Sequence, residues 1–247
     1  MSELTPVARR ALAMLDLTSL NSNDTADSIV ALCQQARSAA GTVAAVCIGP
    51  AFVRLARQTL NELGLAQVRV ATVANFPHGS DDVAQAVAET RAAIADGADE
   101  VDVVFPYRAF QQGQVEQAAE LVEACKDACG EKALKVILET GELDGPRQIR
   151  DASLLAIAAG ADFIKTSTGT VAVGCTLEAA GIMLTAIRAS GGRCGFKAAG
   201  QLQTVEQAAE YIDLAEHVMG AEWVMAERFR FGSSRLLTAL QHEITGA

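Results

Sequence analysis

The sequence predicts an α/β fold, a closed (β/α)8 barrel of the TIM type, built as a single domain over residues 1–247. Three observations predict it. Eight short β-branched or apolar runs alternate with eight alanine-rich segments whose apolar residues fall at helical spacing. The runs recur about every 30 residues, the length of one strand and its crossover helix. The triplets Gly97-Ala98-Asp99, Gly160-Ala161-Asp162 and Gly220-Ala221-Glu222 punctuate three helix ends, each with a glycine suited to the left-handed turn that stops a helix. Even spacing favours closure over an open, doubly wound sheet.

In chain order, a short helical segment at Pro6–Leu12 precedes the first strand and is placed to cover the barrel's N-terminal face. The strand Ala13–Thr18 leads to a helix over Asp24–Ala40, and Val43–Ile48 to a helix over Ala51–Leu63. Val68–Ala74 is followed by Asp81–Asp96, and Glu100–Phe105 by Val115–Cys129. Leu134–Glu139 is followed by Gly145–Ala159, and Phe163–Thr166 by Thr176–Ala189. The last two units pair Cys194–Lys197 with Thr204–Met219, and Glu222–Ala226 with Ser234–His242. Trp223, the only tryptophan, falls on that eighth strand and reads as core.

Composition narrows the function. Twenty Lys and Arg against thirty Asp and Glu give a formal charge of −10, which argues against nucleic acid as a partner. Half the residues are hydrophobic, yet every apolar run is too short to span a bilayer, so no membrane partner is expected. The opening Met1-Ser2-Glu3-Leu4-Thr5-Pro6 has neither the basic nor the apolar region of a signal peptide, and a cytoplasmic protein is expected. The six cysteines, scattered through apolar segments of a long chain, read as reduced thiols. Cys125 and Cys129 share a helix face without a nearby histidine and read as packing residues. His78, His217 and His242 lack metal-ligand spacing, and no dinucleotide or Walker pattern occurs, so neither metal nor cofactor is expected.

The chemistry is written where charge interrupts the strands. In a closed barrel alternate side chains point into a packed interior, so a mid-strand charge needs a partner or a task. Asp102 stands in Val101-Asp102-Val103, Lys165 in Phe163-Ile164-Lys165-Thr166 and Lys197 in Gly195-Phe196-Lys197, with Asp16 and Thr18 on the first strand. A lone buried lysine snorkels or pairs with an aspartate. Two on adjacent strands come within about 6 Å, where repulsion reaches about 3 kcal/mol and favours one neutral amine. Such an amine attacks a carbonyl to form a Schiff base, which lets the adjacent carbon–carbon bond break or form, with Asp102 in reach for proton transfer directly or through water. The residues read as a metal-independent aldolase.

These motifs resemble the deoxyribose-phosphate aldolase family of class I, Schiff-base-forming aldolases, across nearly the whole chain. The resemblance rests on Asp16-Leu17-Thr18-Ser19-Leu20, Val46-Cys47-Ile48, Asn75-Phe76-Pro77-His78-Gly79 and Gly97-Ala98-Asp99-Glu100-Val101-Asp102-Val103-Val104. It continues through Leu138-Glu139-Thr140-Gly141, the run from Gly160 to Gly169 that contains Lys165-Thr166-Ser167-Thr168, and Gly195-Phe196-Lys197. It implies that Lys165 forms the Schiff base, that Lys197 promotes its loss of a proton and that Asp102 relays protons. Asp16 and Thr18 would orient the substrate and its water, and Cys47 would line the pocket. The implied reaction is reversible cleavage of 2-deoxy-D-ribose 5-phosphate to acetaldehyde and D-glyceraldehyde 3-phosphate in deoxynucleoside breakdown. The implied assembly is a homodimer.

The phosphate end departs from the family. Barrels commonly hold phosphate with the loops after strands seven and eight and a helix N-terminus. Here those loops are Ala199-Gly200-Gln201-Leu202-Gln203 and Arg230-Phe231-Gly232-Ser233-Ser234-Arg235, following the substrate-facing Thr168-Gly169-Thr170. Gly232 would allow close approach and Ser234 would offer a hydroxyl near the last helix. The family's second glycine is Gln201, the basic residue shortly after it is missing, Thr170 stands where some members carry lysine, and Arg235 replaces a small residue. The chain ends at Thr245-Gly246-Ala247 without the tyrosine-bearing tail of some members, so either slower catalysis or reliance on Asp102 and water alone is expected. Three readings stay open: an aldolase of the phosphorylated sugar with Arg235 restoring the charge, one preferring a non-phosphorylated sugar or aldehyde, and a barrel acting without a Schiff base, as an isomerase or an inactive sugar-binding protein.

Overall fold

The computed structural model describes residues 3–246. Met1 and Ser2, part of the amino-terminal reading, and Ala247, part of the carboxy-terminal one, lie outside the described residues. Eight parallel strands close a barrel: β1 (Leu15–Ser19), β2 (Ala45–Ile48), β3 (Arg69–Ala74), β4 (Glu100–Val104), β5 (Ala133–Ile137), β6 (Phe163–Lys165), β7 (Gly195–Ala199) and β8 (Phe229–Ser233), with β8 pairing back onto β1. Its helices are α1 (Thr5–Ala13), α2 (Ala26–Gln35), α3 (Val53–Glu62), α4 (Val83–Ala95), α5 (Tyr107–Gln111), α6 (Val115–Cys129), α7 (Gly145–Ala158), α8 (Leu177–Ala189), α9 (Val205–Met219) and α10 (Leu236–Thr245). The predicted fold class is the observed one. Among the described residues no helix is long and apolar enough to cross a membrane.

Local chemistry explains where the elements begin and end. Thr25 and Thr204 accept from the amides of Ser28 and Gln207 in reciprocal capping boxes, while Asp82 and Thr176 cap α4 and α8. Gly97 and Gly160 take φ of 102° and 95°, and the aspartate two residues on has a second task. Asp99 accepts from the Val70 amide at 3.0 Å and Asp162 from the Leu134 amide at 2.8 Å, each tying down the neighbouring strand's start. The repeated triplet is thus a strand-alignment device as well as a helix stop.

The third triplet misleads. Gly220 turns as predicted, but Ala221–Trp223 forms a 3-10 turn, and the eighth strand is Phe229–Ser233 rather than Glu222–Ala226. Apolarity drew the prediction to the earlier run, whose Trp223 is buried beside the barrel and donates its indole N–H to the Gly192 carbonyl at 2.9 Å. The true strand was hidden by Arg230, which lies between Phe229 and Phe231 and is buried inside. The second helix also ends early, because residues 37–42 fold back as a small hairpin pairing Arg37 with Thr42. Ala13 belongs to α1, which packs on α9 and α10, and α5 was not anticipated. Cys125 and Cys129 are core residues, as expected.

Strands β6 and β7 are held close by a residue without a side chain. Gly195 pairs with Phe163, and a Cβ there would lie 2.4 Å from the Phe163 ring. Gly195→Ala is therefore expected to overpack the barrel and lower unfolding stability by about 1–3 kcal/mol, read by chemical denaturation.

Candidate active site

The barrel interior carries a column of charge. Asp102 on β4 holds three amines: Lys135 Nζ at 2.8 Å from Oδ1, and Lys165 Nζ and Lys197 Nζ at 2.9 and 2.8 Å from Oδ2. Because both bind one oxygen, the amines of Lys165 and Lys197 lie within about 6 Å, near enough for strong mutual repulsion. The barrel register sets this up, pairing Asp102 with Lys135 and Lys165 with Lys197 across adjacent strands. Below them Lys135 also contacts Glu100 at 2.5 Å, and Arg230 reaches Glu100 at 2.9 Å and Asp16 at 2.7 Å. Asp16 closes the ring with Lys197 at 2.6 Å.

Four basic side chains therefore face three acidic ones, all at most 4% exposed. Burial pushes the carboxyl of Asp102 up, but Lys135, Lys165 and Lys197 outweigh it and hold that group well below its ordinary value. Asp16 is lowered in the same way, with Lys197, Arg230 and Lys135 overcoming burial. Burial opposes the charge on Lys197, yet Asp102 and Asp16 raise it well above the usual lysine value. The neighbour amine is thus the firmly protonated one, and the carboxylates set that, a balance that the repulsion of two lysines alone does not contain.

Above the column opens a cavity of about 390 Å³ at the C-terminal ends of the strands. Lys165 is the amine that reaches it, joined by Thr18, Thr168, Gly169, Thr170, Gly200, Gln201, Gly232, Ser233, Ser234 and Arg235. Asp102, Lys197, Asp16 and Cys47 are fully buried and are not among its lining. Asp16 forms ion pairs with Lys197 and Arg230 beneath the cavity. Burial also pushes the Cys47 thiol up, and it packs beside the lysines rather than lining the pocket.

Other expectations at the mouth also change. Arg230 is not in the loop but in the charge column. Gly232 makes room for Lys197: a Cβ there would lie 2.8 Å from Lys197 Cε. Ser233, not Ser234, supplies the hydroxyl at the start of α10, accepting from the amides of Arg235 and Leu236 at 3.1 and 3.0 Å. Ser234 and Arg235 are exposed. Gln201 takes φ of 62°, where glycine is the easier residue, and its Nε2 donates to the Ala172 carbonyl at 2.9 Å across the neighbouring loop.

Sequence reasoning missed Glu100, Lys135, Glu139 and Arg230. The mid-strand charge argument applied to Leu134-Lys135-Val136 would have found Lys135, and the same alternation marks Glu100. Glu139 lies just beyond β5, buried, with φ of 54°, and accepts from the hydroxyl of Thr168 at 2.5 Å.

Residues 10–242 match the family described as DeoC/LacD family aldolase. The chain is similar to a Toxoplasma gondii ME49 protein provisionally named a deoxyribose-phosphate aldolase, at 28% identity and a TM-score of 0.89, over 98% of this chain and 95% of that one. A Coccidioides immitis protein with the same provisional name is 30% identical, with a TM-score of 0.82 over 96% of this chain and 86% of that one. The deoxyribose phosphate aldolase of Aeropyrum pernix, described as a unique tetramer, shares the fold at 21% identity and a TM-score of 0.75, over 100% of this chain and 94% of that one. The family match takes in all eight barrel strands, from Leu15 to Ser233, and with them every member of the charge column; the chain belongs to the DeoC/LacD family of aldolases.

Proposed function

We propose that this chain is a Schiff-base aldolase that reversibly cleaves 2-deoxy-D-ribose 5-phosphate to acetaldehyde and D-glyceraldehyde 3-phosphate, a carbon–carbon lyase of deoxyribonucleotide catabolism in the cytoplasm. The observation that carries it is one amine, Lys165, reaching an open cavity while sharing a carboxylate oxygen with a second, buried amine. In this reading residues 1–247 form one catalytic domain that works without metal or cofactor and assembles as a homodimer.

In the cleavage direction Lys165 Nζ adds to C1 of the open-chain sugar, and water leaves to give an iminium. The C3 hydroxyl gives up its proton, the C2–C3 bond breaks toward the iminium, and glyceraldehyde 3-phosphate departs, leaving an enamine. Protonation at C2 and hydrolysis then release acetaldehyde and the free amine. Lys197, held charged by Asp102 and Asp16, stands beside Lys165, whose free amine is the form that attacks the carbonyl. Asp102 stays a carboxylate, so it serves as the fixed acceptor across which Lys165 and Lys197 exchange a proton, with water carrying that proton to carbon. Thr18 borders the sugar, though its hydroxyl donates to the Asp16 carbonyl at 2.8 Å.

At the far end Arg235 supplies the positive charge for the phosphate. Among the described residues no acid forms an ion pair with it, and it lines the cavity with Ser234 and Gly200. A second reading, preference for a non-phosphorylated sugar or aldehyde, is favoured by Thr170 and Gln201, which bring no charge to that end.

Borohydride reduction in the presence of acetaldehyde is expected to leave a mass adduct on Lys165 and none in Lys165→Met, by peptide mass spectrometry. Turnover by Lys165→Met would instead point to a barrel enzyme without a Schiff base. Lys197→Met is expected to lose about 10²–10⁴ in kcat. Arg235→Ala is expected to lower kcat/KM roughly 10–100-fold on 2-deoxyribose 5-phosphate, the worth of a charge-assisted hydrogen bond, and to leave free 2-deoxyribose nearly unchanged. Equal treatment of both sugars by both proteins would remove Arg235 from phosphate recognition.

A further inference from the structure

We propose that Glu139 is a positioning residue that, through Thr168, orients the Thr170 hydroxyl as an acceptor, so that the cavity selects an aldehyde bearing a hydroxyl group at that place. The inference rests on reading the Lys165 cavity as an aldehyde site.

Counting hydrogens leads to it. Thr168 has one hydroxyl hydrogen, and it goes to Glu139 Oε2 at 2.5 Å, while the Thr168 amide donates to Oε1 at 3.2 Å. The hydroxyl oxygens of Thr168 and Thr170 are 2.8 Å apart, and the Thr170 amide also donates to Thr168 Oγ1, at 3.1 Å. Since Thr168 has no second hydrogen to give, the hydrogen between the two threonines belongs to Thr170. Thr170 then has only lone pairs left to offer. It is exposed and lines the cavity with Lys165 and Thr168, so those lone pairs are available to a bound molecule. An acceptor repels a phosphate or carboxylate oxygen and rewards a hydroxyl donor. Anion binding is left to Arg235, which lines the same cavity from the loop after β8.

The direction of the chain depends on the charge of Glu139. When that carboxyl is protonated, it donates to Thr168, Thr168 donates to Thr170, and the Thr170 hydrogen turns to the cavity. The groups that act on Glu139 are Lys165, Glu142 and Thr168, with the phenol of Tyr107 feeling its charge. Burial pushes the carboxyl up, while the Thr168 bonds and Lys165 oppose that. Selection for a hydroxyl is therefore present above the Glu139 pKa and fades as the pH falls through it. Glutamine at this position reproduces the protonated arrangement, because its amide donates to Thr168 while its carbonyl still accepts the Thr168 amide.

The test compares D-glyceraldehyde with propanal as acceptors for acetaldehyde, as a ratio of kcat/KM across pH. The same ratio is taken from dissociation constants by NMR titration, so that it is read even without turnover. The wild type is expected to prefer glyceraldehyde about tenfold at the high end of the pH range and less as the pH falls, the worth of one hydrogen bond. Thr170→Ser should keep the preference, Thr170→Val should lose it, and Glu139→Gln should lower it and make it independent of pH. A preference unchanged in Thr170→Val, or one that still titrates in Glu139→Gln, overturns the inference. Borohydride trapping of acetaldehyde separates the two readings. Its failure in the wild type removes Lys165 as the nucleophile, whereas intact trapping with an unaltered ratio removes only the role of Glu139 and Thr170.

Discussion

Asp102 holds the side-chain nitrogens of Lys135, Lys165 and Lys197 within the barrel, and the rest of the site follows from that bond set. Without the Asp102 carboxylate, Lys135 and Lys197 would lose a buried counter-charge, a cost of about 3–5 kcal/mol. The carboxylate also fixes positions. One of its oxygens serves Lys165 and Lys197 alike, which keeps a protonated amine beside the one that opens to the cavity. Stability and chemistry thus draw on the same interaction.

The column extends well below the reacting level. Glu100, Lys135, Arg230 and Asp16 alternate in sign, so each charge is neutralised by neighbours rather than by solvent. Packing makes this possible at one point in particular, where Gly232 leaves the space that Lys197 needs to cross from β7 toward Asp16 and Asp102. The column has one more base than acid and opens to the cavity through Lys165.

The upper rim obeys different rules. There the interactions are hydroxyls, amides and the guanidinium of Arg235, which forms no ion pair among the described residues, and their direction matters more than their sum. Ser233 is occupied by the start of α10 and Gln201 by the neighbouring loop, so neither is free to enclose an anion as an open helix end or a second glycine would. Thr168 and Thr170 form a chain whose sense is set by a buried acid. Recognition at this end therefore rests on hydrogen-bond polarity near Thr170 and on charge at Arg235.

Periodicity and glycine punctuation, both local properties of the chain, were enough to determine the barrel and seven of its eight strands. The break came at Arg230, because a charge in a strand looks like a loop until the acids that neutralise it, Asp16 and Glu100, are known to face it from other strands. Alternation within single strands marked Asp102, Lys165 and Lys197, each next to an apolar residue of its own strand. Which amine meets the cavity, which stays charged, and that Asp16 and Cys47 are sealed beneath it were decided only by closure of the barrel. Those properties belong to distances between strands, and electrostatic energy depends on such distances rather than on order along the chain.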